Sequence, residues 1–127
     1  MHEKHLYEYA VIRVLPKVER EEFINIGLLL FCKHQKYLRI EYFLVPEKIQ
    51  SICPKFDIEQ LKENLDSFVK IGTGEKDGGP IATFEISERF RWLTAVKSSS
   101  IQTSRPHSGF SSDLNQTFEK LYAELVL

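Results

Sequence analysis

Cysteine and long apolar runs are both scarce in this chain of 127 residues. Its two cysteines, Cys32 and Cys53, form no C-x-x-C pair and lie in apolar surroundings, which fits a reducing compartment better than a disulfide framework. We therefore expect both to be buried free thiols. No run approaches the roughly 18 apolar residues of a membrane-spanning helix, and residues 1–9 lack the apolar centre of a signal peptide. The expected location is the cytoplasm, away from membranes.

An excess of either charge is also lacking, since 17 Lys and Arg residues face 18 Asp and Glu residues. A balanced molecule has no overall field that attracts nucleic acid, so binding to DNA or RNA is disfavoured. The only pairs with metal-ligand spacing are His2 with His5 and Cys32 with His34, whereas a structural zinc site needs four ligands. The sequence predicts neither a metal site nor a cofactor, and it leaves the oligomeric state open.

Apolar residues make up 43% of the chain, enough for one core, and many of them fall into short runs. The runs at residues 7–15, 24–32 and 37–44 are rich in β-branched and aromatic side chains, which predicts three strands. The connection at residues 33–36 has the length of a hairpin turn. We therefore expect the three strands to form an antiparallel meander.

Helical periodicity begins at Asp57, where apolar residues start to recur at three- and four-residue steps. Asp57 and Gln60 resemble a capping box, and Gly72 suits the C-terminal cap. A second helix is predicted to begin near Asp113, where a glutamine again follows three residues later. Between the two helices, residues 87–96 predict a short helix or turn capped by Ser87, and residues 98–104 predict an edge strand.

These elements together predict a single α+β domain over residues 1–127. Its expected architecture is a mainly antiparallel sheet of three to five strands with two principal helices packed on it. Residues 1–5 are expected to be disordered, and the glycine-rich residues 72–80 are expected to form a flexible loop.

The clearest local pattern is a basic, hydroxyl-rich stretch at residues 89–107 that contains no acidic residue. Guanidinium groups bind phosphate or carboxylate through two parallel hydrogen bonds, and serine and glutamine side chains add neutral donors. The stretch therefore predicts an anion site with five ligand-binding residues, namely Arg89, Arg91, Ser99, Gln102 and His107. In the alternative interpretation, the arginines pair with Glu85, Glu88 and the acidic residues 19–22, and the stretch is structural.

Arg13 lies inside the first apolar run, where an unpaired buried charge costs several kcal/mol. The acidic segment that follows supplies carboxylates, and Asn25 brings an amide into the second run. We predict a structural polar cluster of Arg13, Glu19, Glu22 and Asn25, held by an ion pair between Arg13 and a glutamate of residues 19–22. The alternative is that these polar groups form the floor of a ligand-binding site.

His107 is a weak candidate for a catalytic residue, because it lies in a turn sequence and histidine titrates near neutral pH. The favoured interpretation is a surface histidine at the entry to the last helix. Residues 72–76 lack the complete phosphate-loop pattern, and no nucleophile elbow is recognisable. The sequence therefore favours a protein that is not an enzyme.

Several strings together resemble one family over nearly the whole chain. They are YAVIR at residues 9–13, EREEFINIG at 19–27, GPI at 79–81, SERFRWL at 87–93 and the stretch at 99–109. They are similar to the bacterial domain-of-unknown-function family numbered 3037. The resemblance implies a bacterial origin and a small stand-alone domain, and it supplies no activity, cofactor or catalytic residue. Members of this family are often encoded beside a kinase-like protein of the HipA type, which implies a protein partner.

We therefore expect a non-catalytic binding or accessory module for a protein partner, and the resemblance suggests a HipA-like kinase. The alternative is a small enzyme or ligand-binding protein for a phosphorylated or carboxylated small molecule, acting through the five residues of the predicted anion site. Turnover of phosphatase, nuclease or esterase substrates would distinguish an enzyme from a binding module.

Overall fold

The computed structural model describes residues 3–95 and 100–127, and within them five antiparallel strands form the sheet. Strands β1 (His5–Val14), β2 (Ile24–Cys32) and β3 (Tyr37–Tyr42) form the predicted meander, and β4 (Ile101–Thr103) and β5 (His107–Ser111) both pair with the other edge of β1. The predicted antiparallel sheet is confirmed. His5, from the segment expected to be disordered, begins β1.

The two short strands lie one after the other along the same edge of β1, and Ser104 joins them. β4 pairs with the second half of β1 and β5 with the first half. At the junction, the Val11 amide donates a hydrogen bond to the Ser104 hydroxyl at 2.9 Å, and the Ser104 amide donates to the Val11 carbonyl at 2.8 Å. Of the predicted edge strand, residues 98 and 99 lie outside the described residues.

The described part of the chain also contains four α-helices: α1 (Pro46–Ile52), α2 (Ile58–Thr73), α3 (Ile86–Thr94) and α4 (Leu114–Leu125). Two of the predicted N-terminal caps are confirmed, because the carboxylates of Asp57 and Asp113 accept hydrogen bonds from the amides of Gln60 and Gln116. Helix α1 was not predicted, although a proline at its first position favours a helix start.

Two of the predicted helix ends were wrong. Gly72 is buried inside α2, where an added Cβ would lie 2.0 Å from the Ile40 Cδ1 atom. The cap is Gly74, whose φ of 73° is in the left-handed region that glycine adopts without strain. Ser87 does not cap α3, which begins at Ile86 with no side-chain capping bond.

The helices cover both faces of the sheet. Of the described residues, thirteen with buried side chains form the core between the sheet and α1, α2 and α3, among them Ile12, Leu65 and Phe90. Four others form a smaller core beneath α4: Val11, Leu28, Leu30 and Phe118. The expected principal helices, α2 and α4, therefore pack on opposite faces. Alternation along β1 sends Ile12 to the larger core and Val11 to the smaller one.

The segment expected to be a flexible loop contains defined turns. Residues 72 and 73 belong to α2, and the turns Lys76–Gly78 and Pro80–Thr83 follow. The Lys70 ammonium and the Asp77 carboxylate lie 2.7 Å apart, which ties the first turn to α2. Of the two free cysteines, Cys32 is buried as expected, whereas Cys53 is partly exposed. Within residues 3–95 and 100–127, no helix has the length and apolarity to span a membrane.

Candidate functional site

Arg13 lies at the centre of a polar row across three strands. A β-bulge shifts the register of β1 and β2 after Ile12, so that Arg13 pairs with Asn25 on β2. On its other side, Arg13 pairs with Gln102 on β4. Directly paired residues project from the same face of a sheet. Arg13 is two positions from Val11, which belongs to the core beneath α4, so these polar side chains project from the face that α4 covers. The Asn25 side-chain amide donates a hydrogen bond to the Leu125 carbonyl at the end of α4, at 3.3 Å.

The predicted ion pair of Arg13 is not formed among the described residues. The Arg13 guanidinium carbon instead lies 4.0 Å from the centre of the Phe23 ring. Glu22 pairs with Arg20, and Glu19 is exposed. The bulge and the turn before β2 bring the aromatic ring, and not a carboxylate, over the guanidinium. A cation–π contact of this kind contributes about 0.5–1 kcal/mol at an exposed position.

Two buried polar atoms at this position have no hydrogen-bond partner among the described residues. They are the Nε donor of Arg13 and the Oδ1 acceptor of Asn25, on neighbouring strands. An unsatisfied buried donor or acceptor costs about 1–3 kcal/mol. The two atoms therefore remain unsatisfied within the described residues, next to the side chain of Arg13, which lines a cavity.

A cavity of about 270 Å³ opens at Arg13. We call its lining the Arg13 surface, and it consists of Arg13, Leu15, Glu21, Phe23 and Gln102. Glu21 has a φ of 57°, and Phe23 is 49% exposed. An arginine beside an exposed aromatic ring is the composition that recurs at the centres of protein interfaces. Phe23 was not among the predicted site residues, although its position between the acidic segment and β2 indicates an aromatic ring near the start of that strand.

The structure separates the residues of the predicted anion site. Arg89 and Arg91 are both on α3, where residues two apart point in directions roughly 200° apart. Gln102 is beside Arg13, and Ser99 lies outside the described residues. Neither arginine forms an ion pair with a carboxylate within the described part of the chain, so the alternative interpretation of structural ion pairs finds no contact there.

Arg89 points into the fold, whereas Arg91 is exposed. Arg89 Nη1 donates to the Ala82 carbonyl at 3.4 Å, and its Nε is buried without a partner in the described residues. An added Cβ on Gly74 would lie 2.2 Å from Arg89 Nη1, so the guanidinium lies directly against the cap of α2. Arg91 Nε donates to the Ser87 carbonyl of its own helix at 3.4 Å.

His107 is exposed on β5, and was wrongly predicted to lie in a turn. It pairs with Tyr9, and the two ring centres are 5.3 Å apart. Burial, and then the neighbouring Tyr9, raise the pKa of Tyr7 on the same strand above its ordinary value. The rings of Tyr7, Tyr9 and His107 therefore form an aromatic group on β1 and β5. No group of three potential metal ligands occurs within the residues that the structure describes.

Comparison with known proteins identifies a family for nearly the whole chain. A family model described as a protein of unknown function (DUF3037) matches residues 9–126. The matched region includes all four helices and every strand except the first residues of β1. The resemblance predicted from the sequence strings is confirmed. No curated protein and no solved structure matches the chain.

Proposed function

The chain belongs to the DUF3037 family, and we propose that it is a non-catalytic binding module whose Arg13 surface receives an acidic segment of a protein partner. The observation that carries the proposal is the Arg13 guanidinium, which lies over Phe23 and has no carboxylate partner among the described residues. A guanidinium has five N–H donors and binds carboxylate through a planar fork. An acidic side chain supplies the acceptors that the described residues do not.

A protein segment fits this surface better than a small anion does, because the surface combines charge with exposed apolar area. The half-exposed Phe23 ring lies next to the guanidinium, and Leu15 also lines the cavity. A small anion satisfies Arg13 but leaves the ring in water. A peptide that carries a carboxylate beside an apolar residue contacts both the guanidinium and the ring.

The partner to test first is the HipA-like kinase that the family resemblance suggests. For the experiment, a photo-crosslinking amino acid replaces Phe23 in one variant and Phe43 in another, in the native host. The two phenylalanines are 49% and 53% exposed, so they are matched in accessibility. We expect an adduct with the kinase-like protein from position 23 and none from position 43.

The strength of binding is measured by titration calorimetry with the captured partner. Arg13→Gln should weaken binding at least about tenfold, because truncation of one partner of a charge-assisted contact costs 2 kcal/mol or more. Arg13→Lys keeps the charge but loses the fork and should fall between Arg13→Gln and the wild type. Arg91→Gln, exposed on α3, is the control and should bind as the wild type does. Equal affinity of Arg13→Gln and Arg91→Gln would contradict the proposal, as would hydrolytic turnover that disappears in His107→Ala.

A further inference from the structure

A second cavity, separate from the Arg13 surface, lies between the β2–β3 hairpin and the start of α3. Its volume is about 460 Å³, within the roughly 300–1,000 Å³ of small-molecule sites. We call it the hairpin pocket, and its lining residues are Lys33, Lys36, Glu85, Ile86, Ser87 and Arg89. None of these residues belongs to the Arg13 surface, so the two sites can be tested independently.

Three cations converge on the hairpin pocket from two distant parts of the sequence. Lys33 and Lys36 are at the two ends of the hairpin turn, which the Lys36 amide closes by donating to the Lys33 carbonyl at 3.2 Å. Arg89 comes from α3 and is held against Gly74. No ion pair within the described residues neutralises any of the three. With Glu85 as the one carboxylate of the lining, two positive charges remain in excess.

We propose that the hairpin pocket binds the phosphate group of a small phosphorylated metabolite. Two excess positive charges match a phosphate monoester, which carries about −1.5 to −2 at neutral pH. Arg89 lines the pocket and adds a positive charge that does not titrate at neutral pH. The Ser87 hydroxyl adds a neutral donor. The volume of the pocket leaves room for an organic group attached to the phosphate.

Glu85 favours a phosphate ester over a free ion. Its carboxylate repels an anion that fills the whole pocket, but it accepts hydrogen bonds from the hydroxyl groups of a phosphorylated polyol or sugar. The N-terminus of α3 lines the pocket, and its first backbone amides have no hydrogen bond from a capping side chain. They add to the binding of an anion that the three cations already attract.

The test is a titration with glycerol phosphate and, separately, with inorganic phosphate, at low ionic strength. Backbone amide NMR should show saturable shifts at residues 33–36 and 85–89, and glycerol phosphate should bind more tightly than inorganic phosphate. Added chloride should weaken both, because the contacts are electrostatic. Absence of saturable shifts in these two segments would overturn the proposal, and equal affinity for the two probes would overturn the assignment to an organic phosphate.

The decisive variant is the double substitution Lys33→Gln and Lys36→Gln. Both lysines are exposed, and glutamine removes the charges with little change in length. Affinity for glycerol phosphate should fall at least about tenfold, since the variant loses two charge-assisted contacts to the phosphate. Arg91→Gln removes a cation from the same helix outside the pocket and should leave the affinity unchanged. If the double variant binds as tightly as Arg91→Gln does, the pocket is not the phosphate site.

Discussion

At the scale of single residues, the contact between Tyr42 and Asp66 makes the free energy of unfolding depend on pH. The Tyr42 hydroxyl donates to the Asp66 carboxylate at 2.6 Å and joins β3 to α2. This hydrogen bond, with burial next in importance, raises the pKa of Tyr42 from 10.0 to about 12. The protonated phenol is therefore favoured by folding.

The sign of the pH effect follows from that shift. The stabilisation is fully present below pH 10, the pKa of the unfolded state, and it is lost as the pH rises through the folded pKa of about 12. Tyr42→Phe should lower the stability by about 1 kcal/mol at neutral pH and make it less dependent on pH between 10 and 12. Urea titrations of both proteins across this range measure the effect. An unchanged pH dependence in the variant would show that other tyrosines are responsible.

The contact partner of Arg13 is an aromatic ring in place of the predicted carboxylate. A charge in an apolar strand must be compensated, and the sequence supplied glutamates nearby as the expected partners. In the structure Phe23 covers the guanidinium, and the Arg20–Glu22 pair uses one of those glutamates. A ring contact, unlike an ion pair, leaves the Arg13 charge without a carboxylate among the described residues, which is the basis of the proposed binding role.

At the scale of elements, Ser104 holds β4 and β5 on one edge of β1. Ser104 is 6% exposed, and its hydroxyl accepts from the Val11 amide and donates to the Arg105 carbonyl at 3.1 Å. Ser104→Ala leaves the Val11 amide without this acceptor and should destabilise the protein by about 1–3 kcal/mol. The measurement is the midpoint of denaturant unfolding. Ser108→Ala, an exposed serine on β5, is the control and should change the stability by less than about 0.5 kcal/mol.

The same junction explains why β5 escaped prediction. Residues 107–111 have the sequence His-Ser-Gly-Phe-Ser, with little of the β-branched content that marks a strand. They become a strand because β1 is long enough to pair with two segments in succession.

The prediction for Ser104→Ala also has an outcome that contradicts it. A change in the free energy of unfolding of less than about 0.5 kcal/mol would show that β4 and β5 are held independently of this serine.

At the scale of the whole molecule, the sheet separates two cores of unequal size. Among the described residues, the core beneath α4 has four buried side chains, whereas the core beneath α1, α2 and α3 has thirteen. Arg39 reinforces the smaller core, since it lies 4.2 Å from the Phe118 ring centre and pairs with Glu119 at 2.5 Å. Less buried apolar area means a lower free energy of local opening. We therefore expect α4 to exchange its amide hydrogens faster than α2.

Two phenylalanine variants test this separation by hydrogen exchange. Phe118 and Phe90 are 0% and 2% exposed, and they occupy the smaller and the larger core. Each change to alanine should destabilise the protein by about 3–5 kcal/mol. Phe118→Ala should increase exchange mainly in α4, and Phe90→Ala mainly in α2 and α3. Identical exchange patterns in the two variants would show that the cores open as one unit.

Local patterns in the sequence determined the meander, α2, α4 and their two N-terminal caps. Each depends on residues only a few positions apart, as Asp57 and Gln60 show, because periodicity and capping are short-range effects. Family membership was likewise predicted from contiguous strings, such as residues 19–27.

Only the tertiary structure decided which polar residues meet. It placed Arg13 between Asn25 and Gln102, and it brought Arg89 to Lys33 and Lys36, more than fifty positions earlier in the chain. Strand register and the rotation of a helix set such neighbours, and a shift of one residue in a strand moves every side chain to the opposite face. The charges of both candidate sites can be read from the sequence, but their convergence depends on these long-range contacts.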